Sequence, residues 1–156
     1  MKYNCTLIAV RDMARSKQFY CGLLEMEVTA DFGANLTLSD CVALQTLDTW
    51  KTFLHREETE ITLGHNAAEL YFEESDMDRF LEKLASYPGI EYVHPPKEHA
   101  WGQRVVRFYD PDRNIIEVGE EMTTVARRFA ASGMTPEQVA ARMDVPIGAV
   151  RHWLAE

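Results

Sequence analysis

The sequence predicts an α+β fold of two βαβββ modules followed by a C-terminal helical tail, and three observations carry that reading. Asp12-Met13-Ala14-Arg15 recurs 64 residues later as Asp76-Met77-Asp78-Arg79, a spacing that marks an internal repeat. Each copy follows an extended apolar stretch and precedes a helical apolar stripe and three further strand-like runs. From Met122 the pattern changes, the charge balance turning to about +1 and helix-capping signals appearing further on.

In chain order, Cys5-Thr6-Leu7-Ile8-Ala9-Val10 reads as the first strand, and Asp12 as a helix N-cap whose carboxylate accepts from free first-turn N–H groups. Phe19, Tyr20, Leu23 and Leu24 form the apolar stripe of the helix it opens. Strands follow at Glu25 to Phe32, Asn35 to Ser39 and Val42 to Leu47, with Gly33-Ala34 and Ser39-Asp40 as turns. Asp48 to Asn66 is polar and acidic, and reads as a loop or short helix linking the modules. The second module repeats the order. Glu69 to Glu73 is a strand, and Asp76 caps a helix with Met77, Phe80, Leu81 and Leu84 on one face; Tyr87-Pro88-Gly89 stops it. Gly89 to His94, Arg104 to Tyr109 and Asn114 to Gly119 are the remaining strands, with the Pro of Asp110-Pro111-Asp112 set for a type I turn. In the tail, Thr135-Pro136-Glu137-Gln138 is a capping box with Pro at N1, opening a helix through Met143, and a second helix follows Pro146. The domain therefore spans residues 1–121, with modules at about 1–48 and 67–121 and a linker at 49–66, and the extension spans 122–156.

Composition narrows the function classes. The 156 residues carry 16 Lys and Arg against 25 Asp and Glu, a net charge of −9, which argues against binding a phosphate backbone. Residues 122–156 alone are about +1, with four Arg against three acids. The spacing of Ala140, Asp144 and Val150 resembles a helix-turn-helix of DNA-binding proteins, although Gly is usual where Asp144 stands. No window holds the roughly 18 apolar residues of a membrane span, and no signal-peptide h-region is present, so a cytoplasmic location is expected. Cys5, Cys21 and Cys41 form no CxxC pair and read as reduced thiols. No Gly-rich phosphate loop, HExxH motif or nucleophile elbow occurs.

The paired βαβββ pattern, with Trp101-Gly102-Gln103-Arg104, Phe108-Tyr109-Asp110-Pro111-Asp112 and Ile115-Ile116-Glu117-Val118, resembles the vicinal-oxygen-chelate superfamily, the glyoxalase/bleomycin-resistance/dioxygenase group. The resemblance covers about residues 1–121 and implies a curved, incomplete barrel around a cavity, commonly in a homodimer. Metal-dependent relatives hold a divalent ion through four inward side chains, and here those positions fall on Cys5, Gln45, Glu69 and Glu117. The repeat relates Cys5 to Glu69; relatives usually carry His at one or both of these positions, and this chain carries it at neither. A thiol, an amide oxygen and two carboxylates still form a ligand set for zinc, nickel or manganese, with Glu69 or Glu117 as the base that moves a proton in lyase or isomerase chemistry. The same carboxylates equally suit a polar cavity without metal. His99, Trp101 and Arg104 precede or open a strand, and either contact an anionic or aromatic ligand at the cavity mouth or serve packing and ion pairing. Three functions follow as expectations: a metal-dependent lyase or isomerase, a metal-free protein that sequesters a small molecule, and a ligand sensor whose tail touches DNA, the last disfavoured by charge.

Overall fold

A computed structural model describes residues 1–155, which divide into two compact units: Met1–Ala68 with Tyr109–Ile115, and Glu69–Phe108 with the chain from Ile116 onward. In the first unit β1 (Thr6–Val10) leads into α1 (Met13–Lys17), which continues as wider π-helical turns over Gln18–Leu23. β2 (Val28–Asp31), β3 (Asn35–Leu38) and β4 (Val42–Thr46) complete an open sheet of order β1-β4-β3-β2. β1 runs parallel to β4, and the other neighbours are antiparallel. Asp12 caps α1 as the sequence predicts, its carboxylate accepting from Arg15 N at 3.0 Å. Between Leu38 and its partner Val42, the β3–β4 turn places Ser39 and Asp40 both at positive φ (44° and 55°), and Cys41 N closes it by donating to Leu38 O at 3.1 Å.

Strand alternation sorts the side chains. Leu36, Leu38, Val42, Leu44 and Val10 are buried with Phe19, Tyr20 and Leu23 of the first helix, and each such side chain contributes about 1.5–3 kcal/mol. Tyr20 OH donates to Asp110 Oδ2 at 2.7 Å, and the same carboxylate accepts from Asp112 N, Asn114 N and Asn114 Nδ2, closing the turn. Asp112 in turn accepts from the backbone and guanidinium of Arg11. Burial pushes the Tyr20 phenol well above its ordinary value, and the Asp110 charge adds to it. Arg113 sits at φ 69° with its guanidinium over the Tyr109 ring; an added Cβ on Gly64 would lie 2.6 Å from Arg113 Cβ, so Gly64 has to stay bare. The linker contains a helix, α2 (Leu47–Leu54), and a single 3₁₀ turn at Glu58–Glu60.

The second unit repeats the sheet order as β5-β8-β7-β6, from β5 (Glu69–Glu74), β6 (Tyr92–Glu98), β7 (Arg104–Tyr109) and β8 (Ile115–Glu120). α3 (Met77–Ser86) is capped by Asp76, which accepts from Arg79 N at 3.1 Å, and buries Met77, Phe80 and Leu84. β6 starts and ends later than the sequence suggests, because Pro95 and Pro96 are accommodated by bulges on this edge strand rather than terminating it. The tail has three helices rather than two: α4 (Met122–Ala131), α5 (Pro136–Met143) and α6 (Ile147–Ala155). α4 follows β8 with no side-chain cap at Glu121, so it lacks the signal by which the other helices are read. Val125, Ala126, Phe129, Val139, Ala140, Met143 and Val150 form one buried cluster that none of these short helices could build alone. The Thr135–Gln138 capping box is present in both directions, and Asp144 takes the left-handed conformation (φ 55°) after α5.

Candidate functional site

The face of the second sheet away from α3 gathers one chemically active side chain from each strand. Arg107 on β7 stands at the centre. Its Nε donates to Glu69 Oε2 of β5 at 2.9 Å, its Nη2 pairs with Glu117 Oε2 of β8, and its Nη1 lies 3.3 Å from His94 Nε2 of β6. Register explains the convergence. Asp110 N donates to Asn114 O at 2.9 Å, and counting outward from that bond brings Arg107 opposite Glu117 and Arg104 opposite Glu120; His94 is the cross-strand partner of Arg107 on the other side. Glu117 is only 7% exposed and its Oε2 has no hydrogen-bond partner, so the ion pair with Arg107 is what compensates its charge.

At one end of this row Tyr71, Gln103, His99 and Trp101 form a second group. Gln103 Nε2 donates to Tyr71 OH at 3.2 Å and to Glu120 O at 2.9 Å, while Trp101 Nε1 donates to Gln103 Oε1 at 3.1 Å. The His99 and Trp101 rings stack with centroids 4.2 Å apart and planes within 7°. Burial lowers the His99 pKa, and the nearby charges of Lys97, Arg107 and His94 act in the same direction, favouring the neutral imidazole. Gly119 lies beside Tyr71 and Gln103, and a Cβ there would sit 2.8 Å from Gln103 Nε2.

Arg104, expected at a cavity mouth, faces the other way. It is three residues from Arg107, so strand alternation turns it to the α3 side, where it binds Glu120 at 3.0 Å and Asp78 of α3 at 2.5 Å. Burial of Glu120 would raise its carboxyl, but the bonds and charges of Arg104 and Arg128 outweigh this and hold it below the usual range. Of the three ligand-contact candidates, the structure stacks His99 with Trp101 and commits Arg104 to structural ion pairs. Arg107 was missed among the sequence candidates, although the five-residue turn 110–114 encodes its pairing with Glu117.

The four metal-ligand positions are dispersed between other duties. Cys5 precedes Thr6, which pairs with Val42, whereas Gln45 pairs with Ala9; four register steps, about 13 Å along the strands, separate the two side chains. Gln45 Oε1 accepts from Asn35 Nδ2 at 2.8 Å and its Nε2 donates to Thr49 Oγ1, which uses both ends of the amide. Glu69 and Glu117 share a guanidinium, a permanent cation that repels a second one. Among the described residues no group of three or more His, Cys, Asp and Glu side chains is placed to hold a metal ion. This donor set does not fit the divalent ion that the superfamily's metal-dependent members carry. His55 ends α2 at φ 52°, and His65 Nδ1 accepts from Ala67 N at 3.1 Å.

Two open four-stranded sheets of identical order, each crossed by an Asp-capped helix, are the architecture of the glyoxalase/bleomycin-resistance/dioxygenase superfamily. The family model of the glyoxalase-like domain matches residues 3–123, and the chain belongs to that family. A solved protein of unknown function from Agrobacterium tumefaciens str. C58 is 36% identical, with a TM-score of 0.69 over 78% of this chain and 94% of that one. A glyoxalase-related enzyme from Fulvimarina pelagi (14% identity, TM-score 0.62, 78% and 91% covered) shares the fold. So does a superfamily member from Sphaerobacter thermophilus DSM 20745 (22% identity, TM-score 0.55, 78% and 98% covered). None of the curated proteins compared matches the chain. No helix among the described residues is long and apolar enough to cross a membrane.

Proposed function

We propose that this protein is a metal-free small-molecule-binding member of its family, and that its ligand lies on the face bearing Glu69, His94, Arg107 and Glu117. The carrying observation is the Arg107 guanidinium between the two carboxylates: the chain supplies its own cation where metal-dependent relatives use an ion. Such a row offers acceptors in Glu69 and Glu117 and donors in Arg107 and, in one tautomer, His94, which suits a compact molecule with oxygen-bearing groups. The His99–Trp101 stack supplies a flat surface for a ring, with Trp101 37% exposed. Glu69 and Glu117 then bind and orient rather than abstract protons. The homodimer expected from the resemblance belongs to the same proposal and is read from the mass in solution.

Calorimetric titration tests it. Zinc, nickel and manganese should give no heat of binding with the wild type, whereas catechol, a ring with vicinal hydroxyls, should bind. Arg107→Gln should weaken catechol at least tenfold, about 1.4 kcal/mol. Stoichiometric metal uptake by the wild type, lost in Glu117→Gln, would overturn the reading and restore the metal-dependent lyase or isomerase.

A further inference from the structure

The C-terminal helices contact the one loop that carries the His99–Trp101 stack. Arg128 of α4 donates through Nη2 to Gly102 O at 2.5 Å, and Arg142 of α5 donates through Nη1 to Ala100 O. The same two guanidiniums reach Glu98, at 3.8 and 3.7 Å, where β6 ends and the loop begins. Between them lies Phe129. Both guanidiniums sit over its ring, 5.1 and 5.3 Å from the centroid, and a Cβ on Gly102 would fall 2.2 Å from its Cζ. Gly102 also has φ 90°, a conformation that side-chain-bearing residues avoid, so the loop is shaped around the ring on both counts. Within the loop, Gly102 N donates to His99 O and His99 N to Gln103 O, which leaves the segment from Glu98 to Gln103 little freedom of its own.

We infer that Arg128, Phe129 and Arg142 are positioning residues, through which the C-terminal three-helix unit sets the geometry of the His99–Trp101 pair. The contacts run in one direction through named atoms: helix guanidiniums to the loop carbonyls of Ala100 and Gly102, the loop to the stacked rings, and Trp101 through Gln103 to Tyr71. None of Arg128, Phe129 or Arg142 is placed among the ligand contacts. Three of the tail's four arginines are thereby engaged within the chain, Arg128 with Glu98 and Glu120, Arg142 with Glu98 and Arg151 with Glu137, so the tail has a use that does not call on DNA. The consequence for binding rests on the function proposed above, but the positioning itself does not.

A spectroscopic test needs no ligand. With Trp50→Phe and Trp153→Phe, Trp101 is the remaining indole, and a protonated imidazole stacked on it quenches its fluorescence. The charges facing His99 are Lys97, Arg107 and His94, so quenching should set in below the ordinary histidine pKa of about 6.5, and His99→Gln should remove it. Adding Arg128→Met with Arg142→Ala should cut the quenching amplitude by more than half, while Arg→Lys at both positions should keep most of it. Arg142→Ala alone, a partly exposed side chain outside the helix core, should lower the amplitude less; it keeps the test readable if the double variant fails to fold. Full amplitude at an unchanged midpoint in the double variant, or in Arg142→Ala where only that variant folds, would overturn the inference. Lost quenching with unchanged catechol affinity would support the positioning and remove the loop from the proposed ligand face, so the two readings fail separately.

Discussion

Replacing Arg107 by Met removes the cation from between two carboxylates while keeping an unbranched apolar stem of similar reach. Glu69 is 38% exposed at its side chain and turns to water, but Glu117, at 9%, cannot. Leaving a buried charge without its partner costs about 3–5 kcal/mol in well-buried pairs, and the partial exposure of Arg107 (24%) brings the expectation to about 2–3 kcal/mol at pH 8. The cost should depend on pH with a definite sign. Without the guanidinium, burial raises the folded-state pKa of Glu117 above its unfolded value, so the variant keeps its stability below the unfolded carboxylate range and loses it as pH rises through the raised folded value. Each unit of that shift is about 1.4 kcal/mol, so the deficit at pH 5 should be roughly half that at pH 8. Urea unfolding of wild type, Arg107→Met and Arg107→Met/Glu117→Gln at both pH values measures it, and the double variant should recover at least 1 kcal/mol of the loss, about the coupling expected of groups in contact. A deficit below about 1 kcal/mol at pH 8, or an equal deficit at both pH values, would refute the view that Arg107 is the compensating charge of a buried carboxylate.

Other outcomes are equally specific. Tyr20→Phe should cost about 1.5–3 kcal/mol at pH 7 for the bond to the Asp110 carboxylate, and should flatten the loss of stability above pH 10 that arises because the wild-type phenol resists ionisation when folded while the unfolded one ionises; thermal melts between pH 7 and 11 read both. Glu120 contributes stability above the unfolded carboxylate range that is lost as pH falls through its lowered folded value, so Glu120→Gln should be less acid-sensitive than wild type in melts from pH 6 to 3. Gly64→Ala should lower stability by about 2 kcal/mol or more, from positive φ and from the approach to Arg113, measured by urea unfolding. Thr135→Ala should cost about 1 kcal/mol for the lost capping box, seen as a lower melting temperature.

What was legible in the sequence is what depends on local chemistry. Asp12 and Asp76 announce their helices because an N-cap is a contact three residues long, and Thr135 does so for the same reason. The repeat carried the βαβββ element order from one module to the other, while the shared strand order of the two sheets is seen only in the structure. α4 escaped notice because Glu121 offers no capping bond and Thr123 and Thr124 dilute the helical signal; its helicity comes from burying Val125, Ala126 and Phe129 against helices further along the chain. The candidate site was read halfway. Glu69 and Glu117 were named as metal ligands or as carboxylates of a polar cavity, but their partner within the chain was not, because choosing between Arg104 and Arg107 requires register as well as residue type. Cys5 failed as a partner of Gln45 for the same reason, since the repeat fixes equivalence between modules and says nothing about which residues face each other across β1 and β4.

The turn at 109–115 lies far along the chain, yet it belongs to the first compact unit, where Asp110 takes the Tyr20 hydroxyl and Asp112 the Arg11 backbone. During synthesis this unit therefore waits for its last piece. When Ala68 leaves the ribosome, Tyr20 and the Arg11 N–H still lack their acceptors, and roughly 40 more residues must be made before Asp110 appears, a delay of about 2–8 s at 5–20 residues per second. A nascent chain halted between the two modules should stay protease-sensitive around the first helix, and the first βαβββ half expressed alone should be an aggregation-prone fragment rather than a small stable domain. A first half that carries the repeat's strand and helix thus completes its contacts only once the turn of the second half has been made.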